Sequence, residues 1–345
     1  MNRRDEALTG IKTGKDQTRV TLKDVADDVG VSISTVSRAL AGASGISKDV
    51  RSRIQSAADR LNYASTVPGL GPITVLTDLH LSENAASEYM LAVQRGIEQR
   101  VRELGLTLSL SMVNSTGTSR IDSGAETSGY LLLSVQQEEL IELLTTQNMP
   151  AVIVNGRDPL MRLDAVAPAN RTGGYLGARH LLDLGHKRIL TLTHTPRPTI
   201  RDRVAGKGRA MREADVTEDP DLTVELAALR SDLTYQAITE RLNNKAGLDF
   251  TAIWCANDAC AFGAIAALNS MGFSVPGDVS VVGFDDIPTA ALNSVPLTTI
   301  RVEAEDIGAR SVNRLIERIK AQDSLATYTE TAVRLVARNS TGQIS

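Results

Sequence analysis

The side chains best suited to chemistry in this 345-residue chain lie between Thr21 and Ser47. Ser32, Ile33, Ser34, Thr35, Ser37 and Arg38 belong to one dense, mostly polar run in which Ile33 and Val36 are the aliphatic residues. Hydroxyls and a guanidinium offer donors and acceptors, and no base or nucleophile stands beside them. Such a set suits recognition rather than bond-making. Arg38 can fork onto guanine O6 and N7, the commonest specific base contact. Ile33 has no hydrogen-bonding group and can meet only apolar base surface such as a thymine methyl. Ser34 can donate or accept, so it is permissive. Thr21, Thr35, Ser37 and Ser47 suit phosphate oxygens, which fix register without reading sequence. The plain alternative for each hydroxyl is a helix cap or a solvated surface, and Ser32 and Ser47 are read as caps as well as contacts.

The elements around these residues follow from local rules. Thr21 with Asp24 three positions on is a capping-box-like start. Leu22, Val25, Ala26 and Val29 then make one apolar face at helical spacing. Gly30 ends that helix, because it reaches positive φ without steric cost. Val31 turns inward and Ser32 caps the next helix, in which Val36, Ala39 and Leu40 face the core. A third helix begins after Ser47, with Val50, Ile54, Ala57 and Leu61 as its buried stripe. Three such helices make a small core, and the middle one can enter a major groove.

Composition sets the class of the remainder. Hydrophobic residues are 42% of the chain, enough for a sizeable core. Net charge is −4 but unevenly spread: +3 over residues 1–66 and −7 beyond. Phosphate attraction should therefore be moderate and salt-sensitive. Cys255 and Cys260 fit no metal spacing and suit small buried packing. No export signal or membrane span is legible, which points to a soluble cytoplasmic protein. The four histidines form no cluster, and no phosphate loop or nucleophile elbow is present. The expectation is no cofactor, no metal and no enzyme activity.

Residues 1–18 are polar and aperiodic and read as a flexible arm, whose Arg3, Arg4, Lys12 and Lys15 could touch phosphate. Residues 64–72 form a Pro/Gly linker. Beyond it, strands and helices alternate. Strands are expected near 73–77, 106–113, 129–134, 151–155, 188–193, 222–226, 252–255 and 280–283. Helices are expected near 86–104, 137–147, 173–184, 203–213, 234–243 and 259–271. This alternation predicts parallel sheets wrapped by helices, in two cycles of similar length. Ligands in such sheets bind beyond the carboxyl ends of the strands.

In this order the motifs resemble the LacI/GalR family of transcriptional regulators. They are Val20-Thr-Leu-Lys-Asp-Val-Ala26, Gly30-Val-Ser-Ile-Ser-Thr-Val-Ser-Arg38, Arg60-Leu-Asn-Tyr63 and His180-Leu-Leu-Asp-Leu-Gly-His-Lys-Arg-Ile189. Arg203-Val-Ala-Gly206, Ala256-Asn-Asp258, Val275 to Asp286 and Pro296-Leu-Thr-Thr-Ile-Arg301 complete the set. The likeness runs over about residues 19–340. It implies an N-terminal all-α three-helix helix-turn-helix head over 19–63. It also implies an α/β two-lobed body over 73–345, like a periplasmic binding protein. One lobe would comprise about 73–168 and 298–328, the other about 169–297 and 329–345. A homodimer would read a palindromic double-stranded operator, and a small-molecule effector, sugar-like or nucleobase-like, would bind between the lobes. Arg203, Asn257 and Asp285 stand at the family's ligand-contact positions. Arg203 is read as opening a helix after a loop, and the other two as following strand ends.

Departures accompany the likeness. The nine residues between Tyr63 and Ile73 hold two prolines and two glycines, which oppose a helix. A hinge helix with a minor-groove wedge is not expected, although Leu70 stands where a wedge could lie. Thr172 and Val302 replace an acid and a Gln usual in the family. Aromatics are 3% of the chain, so a stacking platform is hard to name. Trp254 reads as core, and Tyr89, Phe284 and Tyr235 are weaker candidates. Helices 86–104 and 259–271 are candidate dimer faces. The favoured function is a DNA-binding regulator acting as a repressor, with activation left open by operator position. The alternative is a cytoplasmic small-molecule sensor of the solute-binding type with weak or co-effector-dependent DNA binding.

Overall fold

The computed structural model describes residues 20–40, 45–61, 70–78, 88–113, 127–245 and 247–344. The expected arm, Tyr63 and the linker up to residue 69 lie outside them. The chain divides into two compact units, a head and a body.

The head holds α1 (Leu22–Val29), α2 (Ile33–Leu40) and α3 (Lys48–Arg60). Thr21 and Asp24 close the capping box, and Gly30 ends α1 at φ +76°. Val25, Val36 and Ile54 are fully buried and meet in one core, with Val31, Leu40, Val50 and Leu61 packed around it. Two arginines of α3 fasten the other helices: Arg51 donates to Ala39 O at 2.9 Å and Arg53 to Val29 O at 3.1 Å. These bonds satisfy carbonyls that helix ends leave open.

The body has two lobes, each an α/β unit with its own parallel sheet. In the first, β1 (Ile73–Asp78), β2 (Leu108–Val113), β3 (Gly129–Leu133), β4 (Ala151–Val154), β5 (Asp164–Pro168) and β11 (Tyr328–Thr331) pair in the order β11-β5-β4-β3-β1-β2. Around them lie α4 (Glu88–Glu103), α5 (Glu138–Thr146) and α11 (Ala304–Lys320). In the second lobe, β6 (Ile189–Thr193), β7 (Thr223–Glu225), β8 (Ala252–Cys255) and β9 (Ser280–Val282) pair as β7-β6-β8-β9. Its helices are α6 (Asn170–Asp183), α7 (Pro198–Glu213), α8 (Ser231–Asn244), α9 (Asp258–Ser270) and the short α10 (Thr289–Leu292). Every residue of β3, β4, β6 and β8 is buried. Sheets covered on both faces by helices bury both sides of their inner strands in this way.

Three strand–helix or strand–strand passages join the lobes. They run from β5 into α6, from β10 (Thr299–Arg301) into α11, and from β11 to β12 (Arg334–Val336). β10 and β12 pair antiparallel. The lobe limits therefore shift from the sequence reading. β10 bridges to the second lobe through Asp285 and Arg301, so the chain stays there beyond residue 298. β11 pairs with β5 from Tyr328 to Thr331, so the first lobe ends past residue 328. β5, β11 and α11 are elements that the apolar pattern did not reveal.

α6 and α7 lie unusually close. A Cβ on Gly174 would fall 1.9 Å from Arg203 O, and one on Gly206 would fall 1.9 Å from Arg171 O. Only glycine permits this approach of two backbones. The contact fixes the height of Arg203 over the sheet.

Candidate nucleic-acid interface and effector cleft

On the head, α2 presents one face outward. Ile33 is 49% exposed. Ser34, Ser37 and Arg38 are also exposed, and Thr35 is half-buried. Ser32 caps the helix by accepting from Thr35 N at 3.1 Å, and its hydroxyl lies 2.7 Å from that of Thr35. The Ser32 and Ser34 hydroxyls are 2.9 Å apart. Three of the expected contact residues thus form one hydroxyl cluster at the N-terminal end of α2. That end also carries the positive pole of the helix, which favours a phosphate. Ser47 accepts from Val50 N at 3.3 Å and so caps α3. Thr21 is bound into its capping box, and its backbone N–H and hydroxyl, both donating to Asp24 Oδ2, hold that carboxyl below its usual range.

In the body, the carboxyl ends of the strands bring a second group together. Arg203 sits inside α7, not at its start. The helix begins at Pro198, a residue suited to the first turn, so Arg203 is a full turn in. Arg203 is 4% exposed. It donates to Asn170 Oδ1 at 2.8 Å and to Ala256 O at 2.6 Å. Its guanidinium lies 3.6 Å from the centre of the Phe284 ring. Its Nη1 stands 3.4 Å from Asp285 Oδ1. That oxygen is buried and accepts no hydrogen bond.

Asp285 holds φ at +117°, a region that side chains rarely occupy. Its backbone is fixed there by Asp285 N donating to Ile300 O at 2.8 Å. Burial pushes its carboxyl up to about 6, against the pull of Arg203 and Arg197. Burial and the nearby Arg203 charge lower Arg197. The neighbouring Asp258, fully buried, is raised well above the usual carboxylate range by burial and by Asp285. It accepts from Thr299 Oγ1 at 2.5 Å and from Ile287 N at 3.0 Å.

The first lobe supplies the opposite wall. Tyr89, on the first turn of α4, donates to Asn155 Oδ1 at 3.0 Å. Asn155 Nδ2 donates to Ser134 Oγ at 3.1 Å. Tyr89 is close enough to Asp285, Arg203 and Arg197 for their charges to act on its phenol, which burial raises most. Arg203 and Asp285 of the second lobe and Tyr89 of the first therefore stand within electrostatic reach of one another.

Asn257 behaves differently. Its Oδ1 accepts from Cys260 N at 2.9 Å and caps α9, and its Nδ2 reaches Leu229 O at 3.4 Å. Both polar ends are engaged in placing α9 after β8. Trp254 is 2% exposed and packs within the second-lobe core, as a mid-strand aromatic should. Tyr235 lies elsewhere, on α8, with its hydroxyl on Ser270 Oγ at 3.1 Å. Among the described residues, no group of His, Cys, Asp and Glu could hold a metal ion, and no helix is long and apolar enough to cross a membrane.

Comparison with known proteins agrees with both parts. Residues 21–65 match the bacterial regulatory proteins of the lacI family, and residues 178–341 match a periplasmic binding protein-like domain. The HTH-type transcriptional repressor PurR of Aliivibrio fischeri (strain MJ11) is 30% identical over 332 residues, covering 93% of this chain and 98% of the relative. The chain belongs to the LacI family. Two solved members extend the likeness to the whole fold. A lac repressor dimer bound to operator and the anti-inducer ONPF superposes with a TM-score of 0.67 at 27% identity, covering 94% of this chain and all of that one. The transcriptional regulator CelR in complex with cellobiose gives 0.70 at 25% identity, covering 93% of this chain and 100% of that one.

As a LacI-family protein the chain is a DNA-binding transcriptional regulator with a periplasmic-binding-protein-like body. Sequence reasoning missed Arg197, Ser134 and Asn155 in the cleft. Ser134 and Asn155 are each the polar residue that closes a short apolar run, which is the signal that could have marked them, and both adopt positive φ in the structure. Tyr89 had only its aromatic character to distinguish it.

Proposed function

We propose that this protein is a repressor that binds a palindromic operator as a homodimer and responds to a small polar effector held between the lobes of its body. The observation that carries the DNA reading is the outward face of α2. There an exposed Ile33 stands among hydroxyls and Arg38, on a helix locked by Ser32. Ile33 and Ser34 would meet base edges, Arg38 a guanine, and Thr21, Thr35, Ser37 and Ser47 the phosphates. A regulator of this kind works in the cytoplasm, beside the chromosome.

The effector reading rests on Arg203 and Asp285. A buried carboxylate oxygen without a hydrogen bond is costly unless a ligand supplies a donor. Together the pair offers donors and an acceptor to a neutral polyhydroxy or nucleobase-like molecule, flanked by the Phe284 and Tyr89 rings. Cellobiose in CelR and ONPF in the lac repressor are small ligands of relatives with the same body. Asn257 would act through the placement of α9.

Dimerisation is supported by apolar surface on both lobes. Leu91 on α4, with Leu110 and Met112 on the edge strand β2, are exposed. On the second lobe a depression of about 770 Å³ between α8 and α9 is lined by Tyr235, Phe262, Ile265 and Ala266 among others. A second copy would cover both, and the lac repressor crystallised as a dimer on its operator. Two-fold symmetry would then match a palindrome.

The test is selection of bound duplexes from a random DNA pool at physiological salt, using the full chain. Enrichment of a palindrome is the expected result, and its half-site spacing reports how the short linker sets the heads. A folded dimer that enriches nothing would overturn the reading. The selected operator then serves to screen sugars and nucleobases for a change in binding.

A further inference from the structure

Two polar bridges cross the cleft between the lobes of the body. On one side Thr289 Oγ1, at the start of α10, donates to Glu88 Oε1 of α4 at 2.9 Å. On the other, Arg157 reaches from the loop after β4 and donates from Nη2 to Asp202 Oδ1 of α7 at 3.1 Å. Each bridging residue lies close in sequence to a cleft residue. Glu88 precedes Tyr89, Arg157 follows Asn155 by two positions, Asp202 precedes Arg203, and Thr289 lies four positions after Asp285. Any movement that separates the cleft walls must part these bridges.

We propose that Arg157 and Asp202 form an ionic latch that biases the body toward closed lobes and makes closure depend on salt. The inference rests on the cleft as the effector site and adds its regulation. The Arg157 side chain is 41% exposed and that of Asp202 16%. Ions can therefore reach the pair and screen it. An ion pair this exposed shifts a two-state equilibrium by roughly two- to fivefold, enough to tune it without fixing it. Asp202 has a second cation, Arg171 Nη2 at 3.5 Å, which belongs to α6 of the same lobe. Arg171 remains beside Asp202 when the latch opens, so the open state is not left with an isolated carboxylate. The Arg157 backbone is also guided: its N–H points to Gln136 Oε1 at 3.5 Å, and a Cβ on Gly156 would lie 2.4 Å from Gln136 Nε2. Tight packing of that loop aims Arg157 across the cleft.

The test reads lobe separation directly, in the full chain and with neither DNA nor effector present. Its failure is thus separate from a failure of the regulator reading. Leu160→Cys in the first lobe and Leu292→Cys in the second place dyes on exposed sites, 69% and 81% accessible. The natural Cys255 and Cys260 are buried and stay unlabelled. Labelled chains are mixed with excess unlabelled protein, and single-molecule energy transfer gives the open-to-closed ratio. At about 50 mM salt, Arg157→Gln should raise that ratio two- to fivefold, to the wild-type value at about 500 mM. Arg171→Gln should not raise the ratio, because it removes only the same-lobe contact and leaves the bridge between the lobes in place. Asp202→Asn should act like Arg157→Gln, and the double variant should go no further than either. Asp202→Asn also serves if Arg157→Gln fails to fold. An unchanged ratio and salt response in both Arg157→Gln and Asp202→Asn would overturn the latch, as would an equal shift from Arg171→Gln.

Discussion

Arg203 holds Asp285 at 3.4 Å while its guanidinium lies against Phe284, and every other nitrogen bond it makes goes to Asn170 or the Ala256 carbonyl. The arginine thus links α6, β8 and β9 at one buried point. Arg203→Ala would leave Asp285 as a buried charge without its partner, and removing one member of a buried pair costs about 3–5 kcal/mol. Urea unfolding should show a loss of that order. The double variant Arg203→Met/Asp285→Asn should recover much of it, because neither side chain then carries a charge. A single Arg203→Ala variant as stable as the parent would show that the pair does not brace the lobe.

The carboxyl of Asp285, at about 6, sets a pH dependence with a definite sign. Its folded value lies above the ordinary value of 3.8, so between the two the native state binds more protons than the unfolded one. Stability therefore falls as pH rises through this window, and the fully charged state at pH 7 is the costly one. Asp258, raised in the same direction, adds to it. Asp285→Asn removes the Asp285 contribution. The stability of this variant relative to wild type should improve by about 1–3 kcal/mol between pH 4 and pH 7. Parallel urea titrations at the two pH values check it, and a constant difference would contradict the raised value.

The crossing of α6 and α7 offers a test of geometry. Gly206→Ala would drive a Cβ to 1.9 Å from the Arg171 carbonyl, which is backbone and cannot swing away. The helices must part, at about 1–3 kcal/mol for overpacking. Arg203 is three residues along the same helix and must move with it. Gly206→Ala should lower the melting midpoint and also weaken any effector response. Gly247→Ala is a contrast, because nothing lies within 4 Å of its Cβ position. Its cost should come only from its backbone at φ +131°.

Legibility in the sequence followed the physics of each element. β3, β4 and β8 are apolar runs legible as buried parallel strands, and β6 carries the same signal with Thr191 and Thr193 among its aliphatic residues. β5 was not legible, because Asp164 and Pro168 bound only three apolar residues. Asp164 is nonetheless buried, held by Arg314 at 2.9 Å and Arg318 at 2.6 Å from α11, about 150 residues away in the chain. Only the fold supplies those cations. β11 is an edge strand, Tyr-Thr-Glu-Thr, with no apolar pattern to announce it. α7 begins at Pro198, five residues before Arg203, where the sequence pattern places its start. In the head, caps and apolar spacing were local, so the helix order was legible. In the cleft, Arg203 and Asp285 could be named from the family likeness, but Tyr89, Ser134 and Asn155 meet them only through sheet topology. Asn257 carried the right residue type at a strand end, and the same placement makes it the cap of α9.

Arg38 and Ile33 separate the two ways in which α2 could engage DNA. Once an operator is selected, Arg38→Ala should cost about 1–3 kcal/mol and relax preference at one base pair per half-site, if the guanidinium reads a guanine. Ile33→Ala should weaken discrimination at a thymine, since only its methyl offers apolar surface in the major groove. Ser37→Ala should instead weaken all sequences alike, as loss of a phosphate anchor does. Binding titrations on single-substituted operators distinguish these outcomes. A uniform loss with Arg38→Ala, together with a salt slope shallower by about one, would move Arg38 from base reading to the phosphate backbone. The hydroxyl cluster of Ser32, Ser34 and Thr35 would then be left to supply what sequence discrimination the helix has, with Ile33 beside it.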